Sequence, residues 1–380
     1  MEPIYLDHAA TTPLRAEVRA AMLPLLEGHF GNPSSVHRWG RAARALRDDA
    51  RARLAAVLGA EPAEIVFTRG GTEADNLAVL GRARALPGAV VCSAVEHKAV
   101  LASAEAAGRE AGTAVHHLPV GADGVVRDDA LDALLAARPA VVSVMWVNNE
   151  TGAVQPVERI AARCRAAGVA FHTDAVQAFG KLRVRVDEVP VDLLAISAHK
   201  IGGPKGVGAL YVRRGTALAP LVHGGMQEGG LRAGTEDVIG AVALATAAEF
   251  AAAEREATTQ RLGALRDRLE VALRERVPEL VVHAAAAPRV ATTSSVSVPG
   301  ADPGMLLPAL DAAGIAVSSG SACRSGATQP SHVLLAMGVP PEVAGPAVRF
   351  SLGHETTAAE IERVIDIFPG VVEQLRELAA

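Results

Sequence analysis

Between residues 64 and 197, short apolar runs of strand length alternate with segments of helical periodicity, and few architectures accommodate that alternation. It predicts strands over 64–68, 89–92, 114–120, 140–147, 169–173 and 192–197, with helices over 73–85, 99–111, 128–137 and 157–167 between them. Strands that are apolar throughout are covered on both faces, and strand–helix–strand units build a mainly parallel sheet flanked by helices. Ligands of such sheets sit at the carboxyl ends of the strands. Before this region, Leu46, Ala50, Leu54 and Leu58 recur every four residues, with Gly59 as a stop. After it, residues 236–280 are nearly all helical in pattern, which suits a connector between domains. A strand-like run over 292–298 and a helix beginning near Pro303 follow. Thr357-Ala358-Ala359-Glu360 then forms a capping box for a helix with Ile361, Val364, Ile365 and Phe368 on one face. The expected fold class is α/β, with a large domain over 14–250 and a smaller α+β domain formed by 1–13 and 251–380.

At 380 residues the chain exceeds the ~250–300 at which single cores stop growing. Its net charge of −5 argues against a broad basic surface for nucleic acid. The first residues offer neither a basic nor an apolar signal region, and the most apolar stretch, 238–253, is broken by Glu249 and falls short of a membrane span. Three cysteines without CxxC spacing do not form a disulfide framework. A cytoplasmic chain with reduced thiols is expected, without membrane attachment.

Only four of the 37 basic residues are lysines: Lys98, Lys181, Lys200 and Lys205. Arginine stays protonated, whereas lysine can lose its proton and act as a nucleophile. Lys200 ends the apolar run that starts at Asp192 and precedes Ile201-Gly202-Gly203-Pro204. It is either a solvated lysine at a strand end or the desolvated amine that imine chemistry requires. Asp174 also ends a strand, with Gln177 three residues later. It is either a helix N-cap or a carboxylate for a protonated pyridine nitrogen. Gly70-Gly71-Thr72-Glu73 opens a helix, so it is either a tight turn or a phosphate site built from backbone amides and the Thr72 hydroxyl. It matches neither the P-loop nor the dinucleotide pattern.

His97 follows another strand end, where it could stack on a ring or move protons. The 12 histidines include no HExxH or paired Cys/His spacing, so no metal site is expected. Cys323 lies in Ser318-Ser319-Gly320-Ser321-Ala322-Cys323-Arg324-Ser325-Gly326, small polar surroundings that suit an exposed thiol next to a positive charge. The alternative is a loop thiol without function. Cys92 in an apolar strand and Cys164 on a helix face are expected in the core.

Together these segments resemble cysteine desulfurases of the IscS/NifS type, in the class V aminotransferase superfamily. The likeness runs nearly the whole chain. It takes in Tyr5-Leu6-Asp7-His8-Ala9-Ala10-Thr11-Thr12-Pro13, Phe30-Gly31-Asn32-Pro33-Ser34-Ser35-Val36-His37 and Gly70-Gly71-Thr72-Glu73-Ala74-Asp75-Asn76. It continues through Val147-Asn148-Asn149-Glu150-Thr151-Gly152, His172-Thr173-Asp174-Ala175-Val176-Gln177, Ser197-Ala198-His199-Lys200-Ile201-Gly202-Gly203-Pro204-Lys205-Gly206, Arg232-Ala233-Gly234-Thr235, the Cys323 loop and Val348-Arg349-Phe350-Ser351-Leu352-Gly353.

The resemblance implies the fold type I architecture of pyridoxal 5'-phosphate enzymes and a homodimer with sites at the subunit interface. It implies that Lys200, and not Lys205, bonds the cofactor. Asp174 pairs with the pyridine nitrogen, Gln177 with the ring oxygen, and His97 stacks on the ring. Gly71, Thr72, Ser197 and His199 hold the phosphate, with Thr235 reaching across from the partner subunit. Asn149, also bordering the cofactor, and Arg349 receive the substrate carboxylate. Arg69 departs from the pattern, because a serine is expected before the glycine pair.

The activity so implied converts L-cysteine to L-alanine and leaves a persulfide on Cys323 for an acceptor protein, an iron–sulfur scaffold or a tRNA thiolase. Selenocysteine lyase, cysteine-sulfinate desulfinase and small-amino-acid aminotransferase are rivals on the same scaffold, although the last does not need a loop thiol. A catalytically silent sulfur-transfer scaffold and a nucleotide-binding module are the rivals from other classes.

Overall fold

The computed structural model describes residues 2–319 and 330–379. A short strand, β1 (Ile4–Tyr5), precedes two helices, α1 (Ala16–Gly28) and α2 (Arg38–Leu58). Of the periodic face of α2, Ala50, Leu54 and Leu58 are buried and Leu46 is partly buried against the same core, and Gly59 caps the helix in the left-handed conformation. The alternating region follows as β2 (Ile65–Thr68), α3 (Gly71–Ala85), β3 (Val90–Ser93), α4 (Lys98–Ala111), β4 (Val115–Leu118), α5 (Leu131–Ala136), β5 (Val141–Ser143), α6 (Val157–Ala166), β6 (Phe171–Asp174) and β7 (Leu193–Ser197).

A strand not expected from the sequence, β8 (Gly208–Val212), lies antiparallel between β2 and β7. Its apolar run is short and directly follows a glycine-rich turn, which hides it from periodicity. The seven-stranded sheet runs β2-β8-β7-β6-β5-β3-β4, and the strands from β7 to β4 are mutually parallel. The expected strand over 140–147 stops at Ser143. Beyond it the Met145 amide donates to the Glu96 carboxylate instead of a ladder partner.

The long helix α7 (Val238–Arg276) starts where the Asp237 carboxylate accepts the Gly240 amide, 2.8 Å away. Its first half packs Ala241–Ala251 positions into the core over the sheet. Its second half places Leu262, Leu269 and Leu273 in another core with Ile4, Leu6, Phe350 and Phe368. The remaining elements are β9 (Val281–Val282), β10 (Thr293–Ser297), α8 (Leu306–Ala312), β11 (Ile315–Ala316), α9 (His332–Ala336), α10 (Pro341–Ala344), β12 (Ala347–Ser351) and α11 (Ala358–Ala379).

β12, β10 and β9 form an antiparallel sheet, and β1 pairs with β11 in parallel. The capping box forms, because the Glu360 carboxylate accepts the Thr357 amide while the Thr357 hydroxyl accepts the Glu360 amide. These two cores motivate our proposed division into 14–250 and 1–13 with 251–380. Among the described residues, no helix is long and apolar enough to cross a membrane.

Candidate active site

Strand ends on one side of the main sheet converge on a cavity of about 400 Å³. It is lined by Gly71 and Thr72 after β2, His97 after β3, Asn149 after β5, Asp174 and Gln177 at and after β6, and Ser197, His199 and Lys200 at and after β7. Arg349 on β12 closes it from the smaller core, and Ala9 and Ala10 close it from the N-terminal segment. The converging strands explain why residues so far apart in the chain meet: parallel strands present all their carboxyl ends to one edge.

Lys200 follows β7 in a single helical turn, and its Nζ donates to the carbonyls of Ala9 and Ala10, 2.7 Å from each. Lys205, by contrast, is exposed and does not line the cavity. The N-terminal segment is held over this turn by the Thr12 amide and hydroxyl, both donating to the His199 carbonyl at 2.9 Å. The His199 ring meets the Thr11 hydroxyl at 3.2 Å. Burial and the neighbouring Lys200 push its pKa down to about 4, so the imidazole is neutral near pH 7.

Asp174 is buried and its Oδ1 accepts the Val176 amide at 2.8 Å. No helix begins at Asp174, so this bond closes a turn and the helix N-cap alternative does not hold; the same carboxylate lines the cavity. Desolvation raises its pKa, against the opposing pull of His97, the Val176 amide and Lys200. Asp75 and Glu96, also buried, are raised by desolvation, Glu96 to about 8. One atom each of Asp75, His97 and Asp174 lie within 4.8 Å of one another. So dense a group of buried carboxylates calls for a proton or a cation to offset it. His97 caps α4, its Nδ1 accepting the Ala99 amide at 3.2 Å, so that nitrogen carries no proton.

The start of α3 has no side-chain cap, and Gly70 there has φ 138° and ψ 180°, open essentially only to glycine. Uncapped amides at a helix start attract an anion. The buried Ser197 hydroxyl beside them has no partner among the described residues. Arg69 does not line the cavity: its guanidinium pairs with Asp237 at 2.7 Å on the exposed side. Arg349 is buried, with Nη1 donating to the Asn149 carbonyl at 2.8 Å and Nη2 to Asp7 at 2.7 Å. Its Nε has no partner among the described residues.

Two expected residues stand apart. Thr235 is exposed and does not line this cavity. Cys323 lies outside the described residues; before and after it, the described chain is tied to other elements. Ser318 exchanges backbone hydrogen bonds with Arg349, and Ser331 donates to Glu150. Cys92 and Cys164 are in the core as expected. Burial raises both thiols, Cys164 to about 12, so neither is a nucleophile.

The cavity also includes residues that sequence reasoning did not single out: Ala9, Ala10, Asp75, Met145 and Val176. Asp75 had a usable signal, lying three residues after Thr72 and four after Gly71, on the same face of α3.

The family model for aminotransferase class V matches residues 4–364. A cysteine desulfurase of Cereibacter sphaeroides is 48% identical over 382 aligned residues, covering 100% of this chain and 98% of that one. The cysteine desulfurase IscS of Dictyoglomus turgidum is 42% identical, covering 99% and 96%. Among solved structures, a NifS-like protein superposes with a TM-score of 0.90 at 33% identity, covering 98% of this chain and 100% of that one. The structure of SspA in complex with cysteine superposes at 0.80 and 35% identity, covering 93% and 100%.

The donor set fits pyridoxal phosphate: an uncapped helix start and a free-standing buried hydroxyl for the phosphate, a buried carboxylate for the ring nitrogen and a lysine for the aldehyde. A protonated ring nitrogen would also supply the cation that the carboxylates call for. Matched almost end to end in sequence and in fold, this chain belongs to the class-V aminotransferase family, whose members use pyridoxal phosphate.

Proposed function

We propose that this chain is a pyridoxal-phosphate-dependent cysteine desulfurase that converts L-cysteine to L-alanine and takes the sulfur onto Cys323. The observation that carries the reading is the convergence of Lys200, Asp174, His97, Gln177 and Arg349 on one cavity of the required chemistry. Full-length relatives named cysteine desulfurase support the reaction.

When bound, the cofactor supplies an electron sink that makes the substrate Cα proton labile and prepares the Cβ–S bond for cleavage. Gly71, Thr72, Ser197 and His199 would hold its phosphate, joined by Thr235 of a partner copy, and Asp174 would keep its ring nitrogen protonated. Gln177 would donate to its ring oxygen, and His97 would cover its face and relay protons. Asn149 and Arg349 would receive the substrate carboxylate, using the planar fork of the guanidinium. Lys200, displaced by the substrate amine, would take and return the Cα proton at Nζ. The Cys323 thiolate would then attack the substrate sulfur. A new S–S bond forms, the Cβ–S bond breaks with its electron pair going to carbon, and protonation yields alanine.

The persulfide would pass to an acceptor protein, either an iron–sulfur scaffold or a tRNA thiolase, in the cytoplasm. A homodimer would cover the strongly exposed Phe30, Val36 and Met226, at 81%, 84% and 81% accessible, and bring Thr235 to the other copy's site. The test is an absorbance spectrum of the purified protein, followed by alanine and sulfide assays with L-cysteine and a thiol reductant. A visible cofactor band with matched alanine and sulfide is expected. A band without sulfide would redirect the reading to selenocysteine or cysteine sulfinate, and no band after adding pyridoxal phosphate would overturn it.

A further inference from the structure

Of the four lysines, Lys181 is the one at the site's edge that the reaction above leaves unused. It follows the β6 turn, four residues after Gln177, and its Nζ donates to the Gln177 Oε1. Gln177 is 5% exposed, and its Nε2 donates to the Ala9 carbonyl at 2.8 Å. That same carbonyl accepts Lys200 Nζ at 2.7 Å. A continuous hydrogen-bonded chain thus runs from Lys181 through Gln177 and Ala9 to Lys200.

We propose that Lys181 is a positioning residue that fixes which way the Gln177 amide faces, so that the cofactor cavity receives an N–H donor. The proposal rests on the cofactor reading above and deepens it. The two ends of a glutamine amide are almost the same size, so shape alone does not choose between them. Here both neighbours choose. An ammonium group only donates and therefore demands Oε1, while a carbonyl only accepts and therefore demands Nε2.

The reversed amide would set Nε2 against Lys181 Nζ and Oε1 against the Ala9 carbonyl, leaving two like pairs buried together. In the observed orientation one Nε2–H is used by Ala9 and one remains. Gln177 lines the cavity, so its remaining donor selects a ligand oxygen rich in electrons, as the cofactor's ring oxygen is. Met or Leu in place of Lys181 would remove one of the two choices and leave the amide held by the Ala9 carbonyl alone.

Lys181 also borders a second, small cavity of about 80 Å³ that Lys200 lines as well. The charged and titratable groups around the lysine are Lys200 and Arg349, with His8, Arg15, Glu254 and His354 across this cavity. Burial, Lys200 and Arg349 lower its pKa to about 7. Only the ammonium form lacks a lone pair and so demands Oε1; in the neutral form the Ala9 carbonyl alone holds Nε2, so the lock is tightest below about pH 7.

The experiment uses the loaded full chain and reads cofactor dissociation and the position of the visible band. Lys181→Met is expected to weaken pyridoxal phosphate binding about tenfold or more and to move the band, as loss of a buried donor orientation should. Lys181→Arg, which keeps the donors, is expected to restore affinity to within about threefold. In a Gln177→Ala background, Lys181→Met should add nothing, because the lysine acts through the glutamine. Additive effects of the two substitutions, or an unchanged affinity and band in Lys181→Met, would overturn the proposal. If Lys181→Met does not fold, a Lys181→Arg chain that folds but loses the cofactor would overturn it equally. A failure of the underlying reading looks different: the unsubstituted chain itself would form no band.

Discussion

The guanidinium of Arg349 on β12 and the carboxylate of Asp7 in the N-terminal segment meet at 2.7 Å, joining the two parts of the chain that close the cavity from the side of the smaller core. With Nη1 held by the Asn149 carbonyl, the planar group has a fixed orientation toward the cavity that it lines. Arg349→Lys is expected to lower kcat/KM for L-cysteine by on the order of 10- to 100-fold, mainly through KM. A lysine offers one charged point where arginine holds a rigid fork. Asp7→Asn keeps a neutral acceptor and is expected to cost less. Steady-state kinetics check both, and an unchanged KM in Arg349→Lys would remove Arg349 from substrate binding.

Lys200 and Cys323 separate two halves of the reaction. Lys200→Ala should abolish covalent attachment of the cofactor, measured by mass spectrometry after borohydride reduction, together with turnover. Cys323→Ala should retain the attachment and the absorbance but lose sulfide production. Undiminished sulfide from the Cys323 variant would exclude that thiol as the sulfur acceptor.

Gly70 holds φ 138° and ψ 180° at the start of α3, a region that side chains strongly disfavour. Gly70→Ala is expected to cost about 1–3 kcal/mol of stability and to loosen cofactor retention, because the strain falls on the amides at the helix start. Urea unfolding and dialysis of the loaded protein measure the two effects.

His283 is 3% exposed, its Nε2 lies 2.6 Å from the Ser297 hydroxyl, and burial lowers its pKa to about 4. The unfolded chain binds this proton near pH 6.5, so between those values the unfolded state carries more protons and stability falls as pH falls. The loss is complete near pH 4 and corresponds to roughly 3 kcal/mol at most. Glu96, raised to about 8, has the opposite sign: its contribution is lost as pH rises from its unfolded value toward 8. Comparing the parent with His283→Gln isolates the histidine. The variant's stability should fall less between about pH 6.5 and 4 in urea titrations, and parallel curves would refute the assignment.

Phe350 and Phe368 meet edge to face, with centroids 5.6 Å apart, in the smaller core. Phe350→Ala should lower stability by about 3–5 kcal/mol, since deleting a buried ring removes transfer free energy and leaves a cavity. The loss of denaturation midpoint in urea checks this.

The sequence by itself determined the layered α/β plan, the buried face of α2, the capping box of α11 and the strand-end positions of Asp174, His97 and Lys200. Each depends on local periodicity or on residue chemistry at a turn, which neighbours along the chain dictate. Its four lysines also pointed to Lys200, although they did not show that Lys205 is outside the cavity. The tertiary structure decided what depends on long-range pairing. It inserted β8 between β2 and β7, because a five-residue strand is chosen by its partners and not by its period. It brought Ala9 and Ala10 onto Lys200, Asp7 onto Arg349 and Lys181 onto Gln177, and it turned Arg69 toward Asp237. It also gathered Asp75, Glu96 and Asp174 into one buried group. Charge and hydrogen-bond partners at such a site come from separate strands and loops, so only the folded chain sets which of them meet.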